Sequence, residues 1–173
     1  LHKPEAMLMR FPKRISALGA TMCVATFFAG LNGTADAQPQ SKAPVYESLK
    51  EATVYMREGP STEHRVKWVY HRKGLPVQVI AEYDVWRRVR DPDGEVGWIH
   101  VAMLSRERTA LVRGSGMAAV RRRADSTSPV VAEAQVGAIG QVESCDPVAC
   151  ELKLDKAEGW VDRSRLWGVD ADE

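Results

Sequence analysis

Hydrophobic residues along this chain recur in short runs in which apolar and polar positions alternate, and turn-forming residues separate the runs. Five such runs, each of four to six residues rich in β-branched or aromatic side chains, occupy residues 53–56, 66–70, 75–80, 85–90 and 96–99. Turn signals lie between them, and residues 91–94 (Asp-Pro-Asp-Gly) are typical of a hairpin. No stretch of ten residues has helical periodicity. The pattern therefore predicts a small antiparallel barrel with a single 3₁₀ turn at residues 100–104.

The same pattern occurs twice. Matching residues are nine or six positions apart in both halves, and the matched sets are Arg57/Val66 with Arg121/Val130 and Trp98/Leu104 with Trp160/Leu166. Internal similarity at a repeated spacing indicates a duplicated module. We therefore predict an all-β chain of two tandem small barrels, at residues 49–105 and 106–168, each with a short 3₁₀ turn near its end. An acidic tail, 169–173, follows.

The first 37 residues have the pattern of a secretory signal peptide. Basic residues precede a mostly apolar, uncharged run at 15–31, and Ala35 and Ala37 are small residues at the two specificity positions. We expect cleavage after Ala37, a linker at 38–48, and export to the periplasm or cell wall with no stable membrane span after cleavage. The alternative is a permanent membrane anchor, for which the apolar run is short.

Charge gives no reason to expect a nucleic-acid partner. The chain has 24 Lys and Arg and 23 Asp and Glu, a formal net charge of +1. Residues 38–173 carry 20 of those basic and 21 of those acidic side chains, so they are nearly neutral. Each module, at about 60 residues, is near the lower size limit for a self-sufficient core.

Cys145 and Cys150 are the two cysteines that remain once the signal peptide is removed. An even number of cysteines in an exported chain favours a disulfide, here across a short turn. The alternatives are a redox-active pair and a metal site. The spacing is not Cys-x-x-Cys, and no neighbouring His or Cys supplies further ligands.

Several motifs resemble the bacterial Src-homology 3 (SH3) domain, in particular the tandem, exported form of proteobacterial envelope proteins. They are Arg57-x-Gly59-Pro60-Ser61, Trp68-Val69-Tyr70, Gly74-Leu75-Pro76-Val77, Trp86-Arg87-x-Val89-x-Asp91 and Gly97-Trp98-Ile99. The second copy departs from this pattern, with Arg123-Ala124 in place of Gly59-Pro60 and Ala149 in place of Trp86. The resemblance implies SH3-like barrels of five or six strands and non-enzymatic binding of peptidoglycan or of an envelope protein.

Trp86 is the residue that most suggests a ligand site. If Val89 faces the core, strand alternation places Trp86 and Arg88 on the opposite face, where the indole could stack on a sugar or a peptide ring. Three tyrosines complete the predicted aromatic site: Tyr55, Tyr70 and Tyr83. In this interpretation the first module binds the ligand and the second is a structural partner. The alternative is that a bulge tucks Trp86 over the end of the barrel.

Two further sets of residues have repeated or clustered positions. Trp98 and Trp160 follow glycine at matched positions, which we interpret as packing in the two cores. The densest basic region includes a predicted basic face, for an anionic headgroup, a phosphate polymer or an acidic partner: Arg121, Arg123, Arg106 and Arg108. The alternative for these arginines is a solvated surface.

No motif recommends catalysis. The histidines are not spaced as a metal site or relay, and no Ser or Cys has a neighbouring His and acid. We therefore expect no enzyme activity, no cofactor and no metal. The leading hypothesis is a non-catalytic binding protein for peptidoglycan or another envelope ligand. The alternative is a protein-interaction module, either a homodimer or an accessory subunit of an envelope enzyme.

Overall fold

The computed structural model describes residues 45–170, which form two seven-stranded antiparallel sheets. The first sheet contains β1 (Val45–Leu49), β2 (Val54–Arg57), β3 (Val66–Tyr70), β4 (Pro76–Tyr83), β5 (Trp86–Arg90), β6 (Val96–His100) and β7 (Leu104–Ser105). The second contains β8 (Thr109–Val112), β9 (Ala118–Arg121), β10 (Val130–Ala134), β11 (Ile139–Cys145), β12 (Ala149–Lys153), β13 (Glu158–Asp162) and β14 (Leu166–Trp167). The strand orders are β3-β2-β6-β5-β4-β1-β7 and β10-β9-β13-β12-β11-β8-β14, so the second module repeats the first.

The predicted fold class is confirmed, including the 3₁₀ turn near the end of each module. The two turns are Val101–Met103 and Arg163–Arg165, and each is capped by the side chain of the preceding residue, His100 or Asp162. Strand β1 begins inside the predicted linker, because residues 45–49 pair with both β4 and β7. The predicted signal segment, the start of the linker and residues 171–173 lie outside the described residues. No helix within 45–170 is long and apolar enough to cross a membrane.

Alternation along the strands builds one hydrophobic core in each module. The first core consists of Leu49, Val54, Met56, Tyr70, Leu75, Val77, Val89, Ile99 and Leu104. The second consists of Ala110, Val112, Ala118, Val120, Ala134, Cys150, Leu152, Val161 and Leu166. The residues between these on each strand face away from the core, and we call that side of each sheet its outer face.

Gly97 allows β6 to cross close to β2. A Cβ atom at Gly97 would lie 2.5 Å from Cγ of Met56 and 2.8 Å from the carbonyl oxygen of Arg57. Its counterpart, Gly159, is equally crowded, with a Cβ position 2.5 Å from the carbonyl oxygen of Arg121. The duplicated Gly-Trp pair is therefore a close-packing feature, in which the glycine and not the tryptophan faces inward.

The two modules pack directly on each other. Leu111 and Ile139 of the second module lie against the first core. The Thr109 hydroxyl donates to the carbonyl oxygen of Gly74 at 2.7 Å, and the Arg72 guanidinium donates to the carbonyl oxygen of Gly137. The rings of Tyr46 and Trp167 meet edge to face, with centroids 5.3 Å apart. The connection between β7 and β8 is correspondingly short.

The predicted disulfide between Cys145 and Cys150 is present, and it joins β11 to β12 at the last residue pair before the hairpin turn. The Asp146 carboxylate accepts from the backbone N–H groups of Val148 and Ala149, at 2.7 Å each. The crosslink and these hydrogen bonds together hold the tip of the hairpin in one conformation.

Candidate functional sites

Trp86 faces away from the core, as the alternation predicts, but it is covered. Only 7% of the side chain is exposed, and its ring meets the ring of His100 edge to face at 5.3 Å. The β5–β6 register is regular from Trp86/His100 onward, so no bulge in β5 tucks the ring inward. Trp86 instead lines a cavity of about 140 Å³, flanked by Thr62 and Met103. It does not offer an open ring face for stacking.

The other predicted aromatic residues divide into two groups. Tyr55 and Tyr83 are 51% and 62% exposed on the same outer face as Trp86, and Arg88 is exposed there as well. Tyr70, predicted to line the same groove, belongs to the first core instead. Its hydroxyl donates to the buried Asp91 carboxylate at 2.9 Å. Burial, followed by that hydrogen bond, raises the pKa of Tyr70.

The prediction that Trp98 and Trp160 belong to the cores is wrong. Both indoles are half-buried on the outer faces, while Ile99 and Val161 point inward. The reason is that the preceding glycine takes the inward position, where two strands cross closely. Because successive residues of a strand face opposite sides, the tryptophan that follows points outward.

The outer face of the second module is more open than that of the first. In the first module Trp86 pairs with His100, and antiparallel register brings Tyr55 to the other side of that histidine. At the equivalent positions the second module has Ala149 paired with Asp162, flanked by Ala119. Small side chains thus replace two large rings. The resulting cavity, which we call the outer-face cavity, measures about 300 Å³ and has Trp160, Arg121 and Arg123 in its lining.

Only half of the predicted basic face belongs to this cavity. Arg121 and Arg123 line it, whereas Arg106 and Arg108 lie in the connection between the modules. Arg165 also lines the cavity, but its guanidinium donates to carbonyl oxygens of residues 113 and 115–117. Arg121 donates one hydrogen bond, to the carbonyl oxygen of Ser128 at 2.8 Å.

A further concave surface lies between the modules. This inter-module groove has a volume of about 490 Å³. Trp68, which is 51% exposed, lines it from β3, and Trp167 lines it from the second module. Charges of both signs surround these rings, since Arg72, Arg113 and Asp93 also belong to the lining. Sequence reasoning missed this site because its two halves are about 100 residues apart.

The described residues contain no group of three or more His, Cys, Asp or Glu side chains arranged to hold a metal ion. The titratable groups that deviate from ordinary behaviour are scattered. Hydrogen bonds from Ser164 hold the pKa of Asp162 below its usual range, and burial raises the pKa of Glu47.

The sequence matches the bacterial SH3 domain twice, at residues 50–106 and 114–168. Together with the repeated barrel topology, these matches show that the chain belongs to the bacterial SH3 domain family. No curated protein matches the chain.

Two solved structures with which the chain can be aligned are NlpC1 and NlpC2 from Trichomonas vaginalis, each at 14% sequence identity and a TM-score of 0.33. The alignments cover 75% and 72% of this chain, and 48% of each of those chains. This chain therefore spans about half the length of either protein.

Proposed function

We propose that this is an exported, non-catalytic binding protein of the cell envelope, which recognises peptidoglycan in the inter-module groove. Membership of the bacterial SH3 domain family supports a binding role. The observation that carries the proposal is the half-exposed Trp68 in the inter-module groove, a cavity of about 490 Å³. A concave site with aromatic surface and a few charged groups is the usual form of a ligand site.

The lining suits a ligand that has both apolar and charged parts. The indoles of Trp68 and Trp167 offer flat surface for a sugar ring or a peptide segment, because aromatic faces pack well against apolar C–H groups. Arg72 and Arg113 provide donors for carboxylates, and Asp93 provides an acceptor for an amine. Peptidoglycan combines sugars with short charged peptides, so it matches each of these features.

The lining of the groove also includes His71, Asp91 and Asp93, and it contains no Ser, Thr, Cys or Lys. Asp91 accepts hydrogen bonds from Tyr70 and from the backbone of Asp93 and Glu95, which occupies its carboxylate in the fold.

Sedimentation with purified peptidoglycan tests the proposal. We expect the protein to pellet at moderate salt and Trp68→Ala to weaken binding at least about tenfold, the loss of one central aromatic contact. Tyr83→Ala is the matched control, because Tyr83 is also an exposed aromatic residue but lies outside the groove. Equal pelleting by Trp68→Ala and the parent would reject the groove, and pelleting at low salt alone would indicate nonspecific attraction.

A second candidate function, self-assembly through strand edges, is favoured by β3 and β10. Both are terminal strands of their sheets, and both carry exposed valines, Val66 and Val69 on β3 and Val130 and Val131 on β10. An apolar edge strand is able to pair with another chain. Analytical ultracentrifugation should then show a dimer that Val66→Lys or Val130→Lys dissociates, and a monomer across the accessible concentration range would refute it.

A further inference from the structure

We propose that the second module has a ligand site of its own, the outer-face cavity, which takes a carboxylate carried on a short apolar stem. This site is separate from the inter-module groove, and its argument does not depend on the peptidoglycan proposal. It also reverses the sequence-based interpretation, in which the second module is only a structural partner.

The cavity is open because the second module has small side chains where the first module has aromatic rings. In the first module Trp86 and Tyr55 flank His100, and about 140 Å³ remains open beside them. In the second module Ala149 and Ala119 flank Asp162, and the open volume is about 300 Å³. The strand register is the same at this point in both modules, since each pair occupies matched positions of the sheet.

Part of the lining of the cavity is apolar. It includes the half-buried indole of Trp160, the methyl groups of Ala119 and Ala149, and Val148, which is 59% exposed. An apolar stem of a few carbon atoms would cover these surfaces and release water from them.

The lining also carries positive charge, and Arg121 is the direct cross-strand neighbour of Trp160. None of the ion pairs formed among residues 45–170 involves Arg121, Arg123 or Arg165. Arg165 is held by backbone carbonyls, but Arg121 has donors to spare beyond its bond to Ser128, and the Arg123 side chain is exposed. A guanidinium group binds a carboxylate well, because its N–H groups match the two oxygens.

Two carboxylates lie near these arginines, and each is already occupied. Asp162 lines the cavity but accepts from the backbone N–H of Ser164 at 2.8 Å, as the cap of the second 3₁₀ turn. Asp125 accepts from both the backbone N–H and the hydroxyl of Thr127. Hydrogen bonds from Thr127 and, less strongly, the charges of Arg123 and Arg121 lower the pKa of Asp125. Neither carboxylate comes within ion-pair distance of Arg121 or Arg123, so the guanidinium N–H groups remain able to receive an external anion.

The disulfide gives this wall of the cavity a fixed position. Val148 and Ala149 belong to the hairpin that Cys145 and Cys150 close, and Asp146 binds the backbone N–H groups of both. The first module has no such crosslink. There the corresponding residue, Trp86, is held by the contact between its ring and that of His100.

The test is a titration of the purified protein with 4-methylpentanoate, followed by the shift of the Trp160 indole N–H resonance. We expect saturable binding of the acid and at least about tenfold weaker binding of its primary amide, which lacks the charge. Ala149→Trp, which restores the ring of the first module, should abolish the shift. Arg123→Gln should weaken binding about fivefold or more, while Arg122→Gln, an exposed neighbour outside the cavity, should not.

Each other outcome overturns the proposal. Equal binding of acid and amide would show that the arginines do not recognise the charge of the ligand. Unaltered binding by Ala149→Trp would show that the ligand binds outside the outer-face cavity. Inorganic phosphate that binds as strongly as 4-methylpentanoate would show that an anion alone is recognised, without a stem. Circular dichroism checks the fold of Ala149→Trp, and the paired Arg123→Gln and Arg122→Gln variants decide the question if that variant does not fold.

Discussion

The hydrogen bond between Tyr70 and Asp91 should make a measurable contribution to the stability of the first module. Tyr70→Phe removes the hydroxyl and leaves the buried ring in place, so the packing of the core is unchanged. The change leaves one oxygen of a buried carboxylate without its donor. Oδ2 of Asp91 accepts from Tyr70 at 2.9 Å, whereas the N–H groups of Asp93 and Glu95 both bind Oδ1.

The expected loss follows from the charge of the acceptor and its burial. A hydrogen bond to a charged group contributes about 1.5–3 kcal/mol to the free energy of unfolding. Asp91 is 3% exposed, so water cannot easily replace the lost donor. We therefore expect Tyr70→Phe to lower the free energy of unfolding by about 2 kcal/mol.

Urea denaturation followed by tryptophan fluorescence measures this difference. Tyr83→Phe is the matched control, because its hydroxyl belongs to a 62% exposed side chain, and we expect a change below about 0.5 kcal/mol. If Tyr70→Phe also lost less than about 0.5 kcal/mol, the buried carboxylate would not depend on the tyrosine and the reasoning would be refuted. A similar loss in both variants would show a general effect of removing a phenol.

Three further predictions concern other parts of the fold. Burial raises the pKa of Glu47 in the folded protein, so the ionised carboxylate lowers the stability at neutral pH. Glu47→Gln should therefore raise the melting temperature at pH 7 but not at about pH 3.5, where the carboxyl group is protonated. An equal gain at both pH values would refute this. Cys145→Ser with Cys150→Ser should lower the free energy of unfolding by about 2 kcal/mol in urea titrations, the value for so short a loop, and an unchanged midpoint would show that the hairpin holds without its crosslink. Gly97→Ala should cost about 1–3 kcal/mol by the same assay, because the added methyl group meets Met56 and the backbone of Arg57; a neutral effect would mean that β2 and β6 can separate without penalty.

The cores were partly predictable, because strand alternation is a local property of the sequence. Val54 and Met56 occupy alternating inward positions, but at Trp98 and Ile99 the period of two does not show which neighbour faces inward, and the prediction chose Trp98 where the core contains Ile99. The same rule places Trp86 on the outer face correctly, but it cannot show that the ring is covered there. The contact that the structure shows is with His100, whose ring meets Trp86 edge to face from the neighbouring strand.

The candidate sites were harder to predict because each depends on distant residues. Trp68 lies on an edge strand of one module and meets a groove partly built by the other. Tyr70 looks like a surface aromatic in sequence, and its burial is explained by Asp91, which is 21 residues away along the chain. The substitution of Ala149 for Trp86 was visible in the sequence. Its consequence, an open cavity beside arginines, required the register of β12 and β13.

The packing of Leu111 and Ile139 against the first core bears on how the protein comes apart. Two independent domains joined by a linker would unfold separately, and a protease could cut between them without destabilising either. Here the second module contributes apolar side chains that pack against the core of the first, and the connection between β7 and β8 is short. Cutting the chain at the boundary between the repeats would therefore expose apolar surface on both fragments. One module is the unit that is repeated in the sequence, but the pair of modules is the unit that is stable when folded.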